Sequence, residues 1–354
     1  MPAEETTTGP TDGRRGATGG PAGATAADAT PPTGGRTGVL APGEGTAYKD
    51  RATAALADVP RVPGAAKPDP ILVADHVVRR FGGLTAVDVE HVEIQRNAIT
   101  ALIGPNGAGK TTLFNLLTGF DKPDGGAWTF EEHKVSKMQA HQVARRGMVR
   151  TFQLTKALSR LTVVENMRLG AQKQRGESLL AALFKPLWAR EEQEITERAD
   201  ELLARFKLDA KREDFAGSLS GGQRKLLEMA RALMSKPSMV MLDEPMAGVN
   251  PALTQSLLGH VKDLREQGMT VLFVEHDMDM VRDISDWVIV MAQGKIVAEG
   301  PPEAVMADPA VIDAYLGGHH DEPLGEDDPL DPANPHYVHQ EAGTSADETK
   351  ADTP

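Results

Sequence analysis

The sequence predicts an α/β fold built on a parallel, doubly wound sheet, and three patterns along the chain support this. Residues 99–103 form a short apolar run that ends at a glycine, and a helical stretch follows over 110–117. Two further apolar runs, 240–242 and 271–274, are separated by a predicted helix over 253–267. Continuous apolar strands are typical of sheets buried on both faces, and strand–helix alternation is typical of parallel crossovers.

Two regions depart from this alternation. Between residues 70 and 95 apolar and polar side chains alternate, which predicts half-buried strands and an N-terminal antiparallel β part. Residues from about 155 to 235 are rich in Leu, Ala, Glu and Arg and predict an inserted helical subdomain. Since no internal repeat is visible, one folded unit is expected over residues 70–317.

The two ends of the chain have the composition of disordered segments. Residues 1–69 are dominated by Gly, Ala, Thr and Pro, so we expect them to be a disordered tail. Residues 318–354 are expected to be a second, acidic tail. From residue 321 onward there are ten Asp and Glu against one Lys, which accounts for about −9 of the net charge of −13. The folded part is therefore near neutral and shows no basic patch that would indicate nucleic-acid binding.

Residues 104–111 read Gly-Pro-Asn-Gly-Ala-Gly-Lys-Thr, the pattern of a loop that binds nucleotide phosphates. The preceding strand and the following helix supply the context that this loop requires. Its glycines let backbone N–H groups approach phosphate oxygens, Lys110 supplies a cation, and the Thr111 hydroxyl can bind Mg²⁺. The predicted ATP-binding residues of this loop are Gly104, Pro105, Asn106, Gly107, Ala108, Gly109, Lys110, Thr111 and Thr112.

Two acidic residues follow the apolar run 240–242 and predict hydrolysis as well as binding. Asp243 ends the strand, where a carboxylate can reach the metal shell. Glu244 should project towards the γ-phosphate, where it can orient and deprotonate the attacking water.

A third motif, Leu-Ser-Gly-Gly-Gln, occupies residues 219–223 and precedes a predicted helix. Serine is a good helix cap, and glycines leave the free N–H groups of the first turn open. Such a helix end can bind an anion. We therefore predict that Ser220, Gly221, Gly222 and Gln223 form an anion-binding turn.

The order of these three motifs resembles the ATP-binding subunit of ABC transporters, whose core has the fold of P-loop NTPases. The resemblance covers about residues 70–317. Several stretches are similar, more narrowly, to the larger ATPase subunit of branched-chain amino-acid importers. They include Phe81-Gly82-Gly83-Leu84, Arg150-Thr151-Phe152-Gln153, Glu275-His276-Asp277-Met278 and Val311-Ile312-Asp313-Ala314-Tyr315-Leu316-Gly317.

The resemblance implies further roles for individual residues. Phe81 would stack on adenine, Gln153 would touch Mg²⁺ and the attacking water, and His276 would contact the γ-phosphate. In the family, the turn at 220–223 closes over ATP held by a second subunit. We therefore expect a head-to-tail dimer with two composite ATP sites.

The resemblance also implies a biological setting. The chain is expected at the cytoplasmic face of the cell membrane as a peripheral ATPase that uses ATP and Mg²⁺. Its partners would be two integral membrane permease subunits, a second ABC ATPase subunit that is homologous or identical, and, indirectly, an extracytoplasmic amino-acid-binding protein. The implied cargo is leucine, isoleucine and valine.

Other readings of the sequence remain open. The same ATPase could serve urea, amides, other amino acids or lipid export, because this subunit does not touch the cargo. A soluble ABC ATPase acting in repair or on ribosomes is disfavoured by the single ATPase unit. The absence of cysteine also excludes the cysteine-ligated zinc of the excision-repair relatives. No apolar run reaches 18 residues and the N-terminus lacks an apolar signal core, so the pore is expected in other polypeptides.

One departure from the family concerns the turn before the strand 99–103. The family usually has glycine there, and this chain has Asn97. Asparagine is the next most tolerant residue of a left-handed backbone, so we expect the turn to be kept.

Overall fold

The computed structural model of the chain describes residues 45–151, 158–172 and 186–316. The helices of these residues are α1 (Gly45–Leu56), α2 (Lys110–Leu117), α3 (Ala140–Arg145), α4 (Val163–Arg168), α5 (Pro186–Arg205), α6 (Gly221–Leu233), α7 (Pro251–Glu266), α8 (Met278–Ile284), α9 (Pro302–Met306) and α10 (Pro309–Leu316). The strands are β1 (Pro70–Phe81), β2 (Leu84–Gln95), β3 (Ile99–Ile103), β4 (Gly125–Phe130), β5 (His133–Lys134), β6 (Met148–Thr151), β7 (Met239–Asp243), β8 (Thr270–Val274), β9 (Trp287–Ala292) and β10 (Lys295–Gly300).

The larger sheet has six strands in the order β10-β9-β3-β8-β7-β6. Its neighbours are parallel except for the terminal β9–β10 hairpin. Every residue of β3, β7 and β8 is buried, as the apolar runs in the sequence predict. Alternate residues of these strands join two different apolar clusters, one on each face of the sheet. The predicted α/β fold with a doubly wound parallel sheet is confirmed.

The smaller sheet is the predicted antiparallel part. It has the order β2-β1-β4-β5, and each neighbouring pair is antiparallel. Its apolar face shares a core with α2 and with one face of the larger sheet. The turn that leads from β2 into β3 is kept as expected, because Asn97 has a φ of 57° and its N–H donates to the Thr270 hydroxyl at 2.9 Å.

The stretch predicted to be a helical subdomain contains α4, α5 and α6 in its described part. The first of these begins at a capping box, in which the Thr162 hydroxyl and the Glu165 carboxylate each bind the other residue's backbone N–H. Apolar side chains of the three helices pack into one cluster that also contains β7 and β8. The three helices, which lie between β6 and β7 in the chain, are therefore anchored on the larger sheet.

The expectation that residues 1–69 form a disordered tail is wrong for residues 45–69, which we call the N-terminal strap. The strap begins with α1, which packs on α7. Ala52, Leu56, Val59 and Ala65 of the strap are buried. The strap itself has few large apolar residues, so its composition resembles that of a solvated tail. It packs by placing small residues against apolar side chains of the rest of the domain. The rest of the two expected tails, residues 1–44 and 318–354, lies outside the described residues.

The strap ends in a buried ion pair. The Lys67 ammonium lies 3.0 Å from Oε2 of Glu299 on β10, and both side chains are 1% exposed. The same carboxylate accepts hydrogen bonds from the Ala65 N–H at 2.5 Å and the Trp287 indole N–H at 2.9 Å. The Lys67 ammonium also lies 4.9 Å from the centre of the Trp287 ring, a cation–π contact. Both buried charges are thus compensated within this corner of the fold.

Candidate nucleotide site

The loop between β3 and α2 has a backbone that only glycine permits at two positions. Gly104 has a φ of 148°, and a Cβ atom there would lie 2.0 Å from the Met291 carbonyl oxygen. Gly109 has a φ of 99°, and its Cβ atom would lie 2.3 Å from the Ala86 carbonyl oxygen. The loop is therefore packed directly against the ends of neighbouring strands, which fixes its shape.

The predicted phosphate-binding lysine lies within this loop. Lys110 donates from Nζ to the carbonyl oxygens of Gly104 at 2.6 Å and of Pro105 at 2.8 Å. Burial lowers the pKa of Lys110, and the charges of Glu244 and Asp243 oppose that shift. Because an ammonium group has three N–H donors, one is left to bind a phosphate oxygen. Thr111, next in the chain, is exposed, so its hydroxyl is accessible to a ligand.

The two acidic residues lie where a parallel sheet places them. Asp243 is the last residue of β7 and is buried, and Glu244 follows it. Strand β3, which leads into the phosphate loop, is separated from β7 only by β8. Because the carboxyl ends of parallel strands share one edge of a sheet, the two carboxylates and Lys110 lie at the same edge.

Asp243 has a charged partner that the sequence did not indicate. Arg150 of β6 donates from one guanidinium nitrogen to Oδ2 of Asp243 at 2.7 Å and from another to Oδ1 of Asn115 at 2.6 Å. The two side chains of the ion pair are 4% and 6% exposed. The guanidinium also lies 5.7 Å from the centre of the Phe114 ring. Arg150 therefore joins β7 to α2, the helix that carries Lys110.

Glu244 has an unusual backbone for a residue with a side chain. Its φ is 45°, in the left-handed region, and its N–H donates to the Val274 carbonyl oxygen at 3.1 Å. A non-glycine residue in this region costs free energy unless its surroundings hold it there. Such backbones are concentrated at functional sites, which agrees with the role predicted for this residue.

The Leu-Ser-Gly-Gly-Gln motif forms the start of α6. Ser220 is the N-cap: its hydroxyl accepts the Gln223 N–H at 3.2 Å, and Oε1 of Gln223 accepts the Ser220 N–H at 3.0 Å. Gln223 thus completes the cap. Ser220 and Gly221 are exposed, whereas Gly222 is buried against Leu253. Among the described residues, no hydrogen bond or ion pair joins this turn to the phosphate loop of the same chain.

The three residues assigned by resemblance have different outcomes. Phe81 ends β1 and is 49% exposed, with the Arg79 guanidinium 4.6 Å from its ring centre. His276 follows β8, and its side chain is 69% exposed, with Nδ1 3.8 Å from Oε2 of the buried Glu275. An exposed aromatic ring and an exposed imidazole are both accessible to a nucleotide. Gln153 lies outside the described residues.

Two family models match the chain. The model described as "ABC transporter" matches residues 88–247. The model described as "Branched-chain amino acid ATP-binding cassette transporter" matches residues 295–321. Together they cover the phosphate loop, the Ser-Gly-Gly turn, the Asp-Glu pair and the last strand with the segment after it.

Curated relatives match over most of their length. The chain is 42% identical over 250 residues to the high-affinity branched-chain amino acid transport ATP-binding protein BraF of Pseudomonas aeruginosa, covering 70% of this chain and 98% of the relative. It is 41% identical over 250 residues to the protein LivG of the same description from Escherichia coli K12, with the same two coverages. A probable LivG of Methanocaldococcus jannaschii is 40% identical over 251 residues, covering 70% of this chain and 97% of the relative.

Solved structures show the same fold. A nucleotide-free ATP-binding cassette from an ABC transporter is 39% identical with a TM-score of 0.61, covering 70% of this chain and 98% of that one. The ADP conformation of an ATP-binding cassette is 40% identical with a TM-score of 0.62, covering 70% and 99%. The described strands and helices are thus those of an ATP-binding cassette.

Proposed function

Because the chain belongs to the ABC transporter ATP-binding subunits, in the branched-chain amino-acid family, we propose that it powers the import of leucine, isoleucine and valine. The chain is an ATPase and a subunit of a transporter that includes membrane components. The observation that carries the proposal is the shared edge of the larger sheet, where Lys110 lies in the electrostatic field of Asp243 and Glu244. The cargo follows from kinship with the amino-acid transport proteins.

The proposed hydrolysis uses the residues of that edge. Backbone N–H groups of the phosphate loop and the Lys110 ammonium bind the β- and γ-phosphates and stabilise the charge that develops on them. Glu244 orients a water molecule towards the γ-phosphate and accepts its proton. His276 contacts the γ-phosphate, and Phe81 stacks on adenine.

The residues fit Mg²⁺ as the accompanying ion. Mg²⁺ prefers oxygen ligands and is usually held by one or two protein groups together with substrate phosphates. Arg150 donates to Oδ2 of Asp243, and within the described residues no hydrogen bond reaches Oδ1, which would serve as the metal ligand. The exposed Thr111 hydroxyl supplies a second oxygen, and Gln153 would supply a third. When bound, Mg²⁺ would neutralise phosphate charge.

We propose that two such ATPase subunits assemble head to tail. The turn at Ser220 and Gly221 is exposed, and within the described residues no hydrogen bond or ion pair joins it to the phosphate loop of its own chain, which supports its use at the ATP of a second subunit. The second subunit would be identical or homologous. The pair would act on two permease subunits at the cytoplasmic face of the membrane, supplied by an extracytoplasmic amino-acid-binding protein. No described helix is both long and apolar enough to cross a bilayer.

The proposal is tested by uptake of labelled leucine in cells that carry the wild-type chain, Lys110→Ala or Glu244→Gln. We expect both variants to abolish uptake. Lys110→Ala should prevent nucleotide binding or turnover, whereas Glu244→Gln should still bind ATP but hardly hydrolyse it. Urea and other amino acids serve as parallel cargoes. If leucine uptake persists while another cargo is lost, the cargo assignment is wrong. If Glu244→Gln keeps wild-type turnover, the assignment of the base is wrong.

A further inference from the structure

The turn that follows Glu244 is held by a lysine of another element. Lys225, in the second turn of α6, donates from Nζ to the carbonyl oxygens of Ala247 at 2.5 Å, Pro245 at 3.0 Å and Glu244 at 3.3 Å. An ammonium group has three N–H donors, so these contacts can use all of them. Lys225 is therefore directed at the backbone of this turn.

A buried carboxylate just after β8 binds the same turn. Glu275 is 2% exposed, and its Oε1 accepts the N–H of Met246 at 3.0 Å. Burial raises the pKa of Glu275, and the hydrogen bond from Met246 opposes that shift. Burial lowers the pKa of Lys225, and the charge of Glu275 opposes it. The turn thus lies between a cation that binds its carbonyls and an anion that binds its amide.

These contacts act on the residue with the unusual backbone. Every residue from Glu244 to Ala247 has a main-chain group bound by Lys225 or Glu275, and the Ala247 N–H also donates to the Glu244 carbonyl oxygen at 3.2 Å. The left-handed φ of Glu244 sets the direction of its side chain. A backbone in that region persists only when its surroundings over-determine it, which these contacts do.

We propose that Lys225 and Glu275 are positioning residues for ATP hydrolysis, which clamp the turn Glu244–Ala247 and so align the carboxylate of Glu244. The inference rests on the proposed role of Glu244 as the general base. Neither residue touches the nucleotide in this scheme, so both act on turnover and not on binding. Because Lys225 is on the helix capped by Ser220, one helix fixes both the Ser-Gly-Gly turn and the orientation of the base.

The test compares steady-state ATP hydrolysis by the assembled transporter carrying Lys225→Met, Lys225→Arg, Glu275→Leu or Glu275→Gln. Arginine keeps the charge and several N–H donors, and glutamine keeps an oxygen that can accept the Met246 N–H. Lys262→Met is the matched control, because the ion pair of Lys262 with Asp283 lies on the surface. The measured quantities are kcat, the KM for ATP, binding of a fluorescent ATP analogue and the melting temperature.

We expect Lys225→Met and Glu275→Leu to lower kcat by about 10- to 100-fold, because a displacement of about 1 Å in a reacting group has an effect of that size. The KM for ATP and analogue binding should stay within about threefold of wild type, since the phosphate loop is untouched. Lys225→Arg and Glu275→Gln should recover most of kcat. The control should match wild type in all four quantities.

Two results would overturn the inference. One is a folded Lys225→Met or Glu275→Leu protein with kcat within about twofold of wild type. The other is a loss of kcat that follows melting temperature alone and is not recovered by the conservative variants. If Lys225→Met does not fold, the Glu275→Leu and Glu275→Gln pair decides. If the wild-type transporter does not hydrolyse ATP, the proposed function is wrong. If it does, and the variants behave as in either of these two results, only the positioning role is wrong.

Discussion

Two buried ion pairs lie in different parts of the molecule, and their carboxylates are satisfied to different extents. In the strap, Glu299 binds the Lys67 ammonium, the Ala65 N–H and the Trp287 indole N–H. At the nucleotide site, Asp243 binds Arg150 through Oδ2. Both pairs are almost fully buried. The first carboxylate has a partner on each oxygen, whereas in the described part of the chain the second has a hydrogen-bond partner on Oδ2 alone.

This difference separates a structural pair from a functional one. Burial of a charge always requires compensation, so a buried ion pair does not by itself indicate a functional site. A carboxylate with spare acceptor capacity in a polar setting can take a further ligand, and a saturated one cannot without losing a bond. Among the described residues Oδ1 of Asp243 accepts no hydrogen bond, which is consistent with a ligand site, whereas the saturated Glu299 is consistent with a structural joint.

The largest expected effect comes from neutralising each carboxylate in turn. Asp243→Asn should lower kcat for ATP hydrolysis by about 10²–10³-fold, the loss typical of removing one group that stabilises transition-state charge. Glu299→Gln should leave kcat per folded molecule within about twofold. Both variants should lower the free energy of unfolding, by about 3–5 kcal/mol, because each removes the carboxylate charge that faces a buried cation. Hydrolysis assays and urea unfolding on the same samples measure the two effects. If Asp243→Asn and Glu299→Gln lowered kcat equally, the distinction between a functional and a structural ion pair would be wrong.

The second prediction concerns the strap cation. Lys67→Met should reduce the free energy of unfolding by about 3 kcal/mol, because Glu299 stays buried with two neutral donors and no counter-charge. Lys295→Met is the control, since Lys295 is largely exposed and lies 3.8 Å from Asp88. Its effect should be below about 1 kcal/mol. If Lys67→Met reduced the free energy of unfolding as little as the control does, the charge of Lys67 would not stabilise this contact.

The smallest expected effect is a pH dependence next to the strap. Burial alone would lower the pKa of His91, but its hydrogen bonds to Asp75 and Glu93 and the charges of these two residues raise it overall. Glu93 in turn accepts the Lys67 N–H at 2.6 Å, so the histidine adjoins the strap. Because the folded pKa is raised, the stabilisation is complete below the unfolded value of about 6.5 and is lost as the pH rises through the folded value.

A His91→Gln variant measures this contribution. The difference in unfolding free energy from wild type should be under about 1 kcal/mol at pH 5.5, because the ring is partly exposed, and smaller at pH 8.5. The same difference at both pH values would mean that the charge of His91 does not stabilise the strap.

Local sequence patterns were sufficient for the fold and for the phosphate loop. The apolar run 99–103, the glycines and Lys110 lie close together in the sequence. The strand before the loop and the helix after it could each be predicted from their own residues. The left-handed turn at Asn97 was likewise predictable, because it depends on the backbone tolerance of one residue. These features depend on short-range physics, which a single sequence records.

Long-range pairs could not be predicted in the same way. Arg150 and Asp243 are separated by 93 positions, and nothing near Arg150 identifies its partner. Lys225 and Glu275 bind main-chain groups of a turn. Because nearly every residue has the same main-chain groups, the sequence does not identify the turn as their partner. The strap was missed because small residues bury little surface of their own. No strand was predicted over residues 148–151, so nothing in the sequence indicated that Arg150 would be buried in one and would require a counter-charge.

The ion pair between Lys67 and Glu299 also constrains the order in which parts of the chain can fold during synthesis. Its two halves are 232 positions apart, and the ribosome releases Lys67 long before it reaches Glu299. At synthesis rates of about 5–20 residues per second, the interval is on the order of 10–50 s. During that time the strap has no counter-charge and no Trp287 ring to pack on. The strap therefore leaves the ribosome early but can complete this joint only after the β9–β10 hairpin has been synthesised.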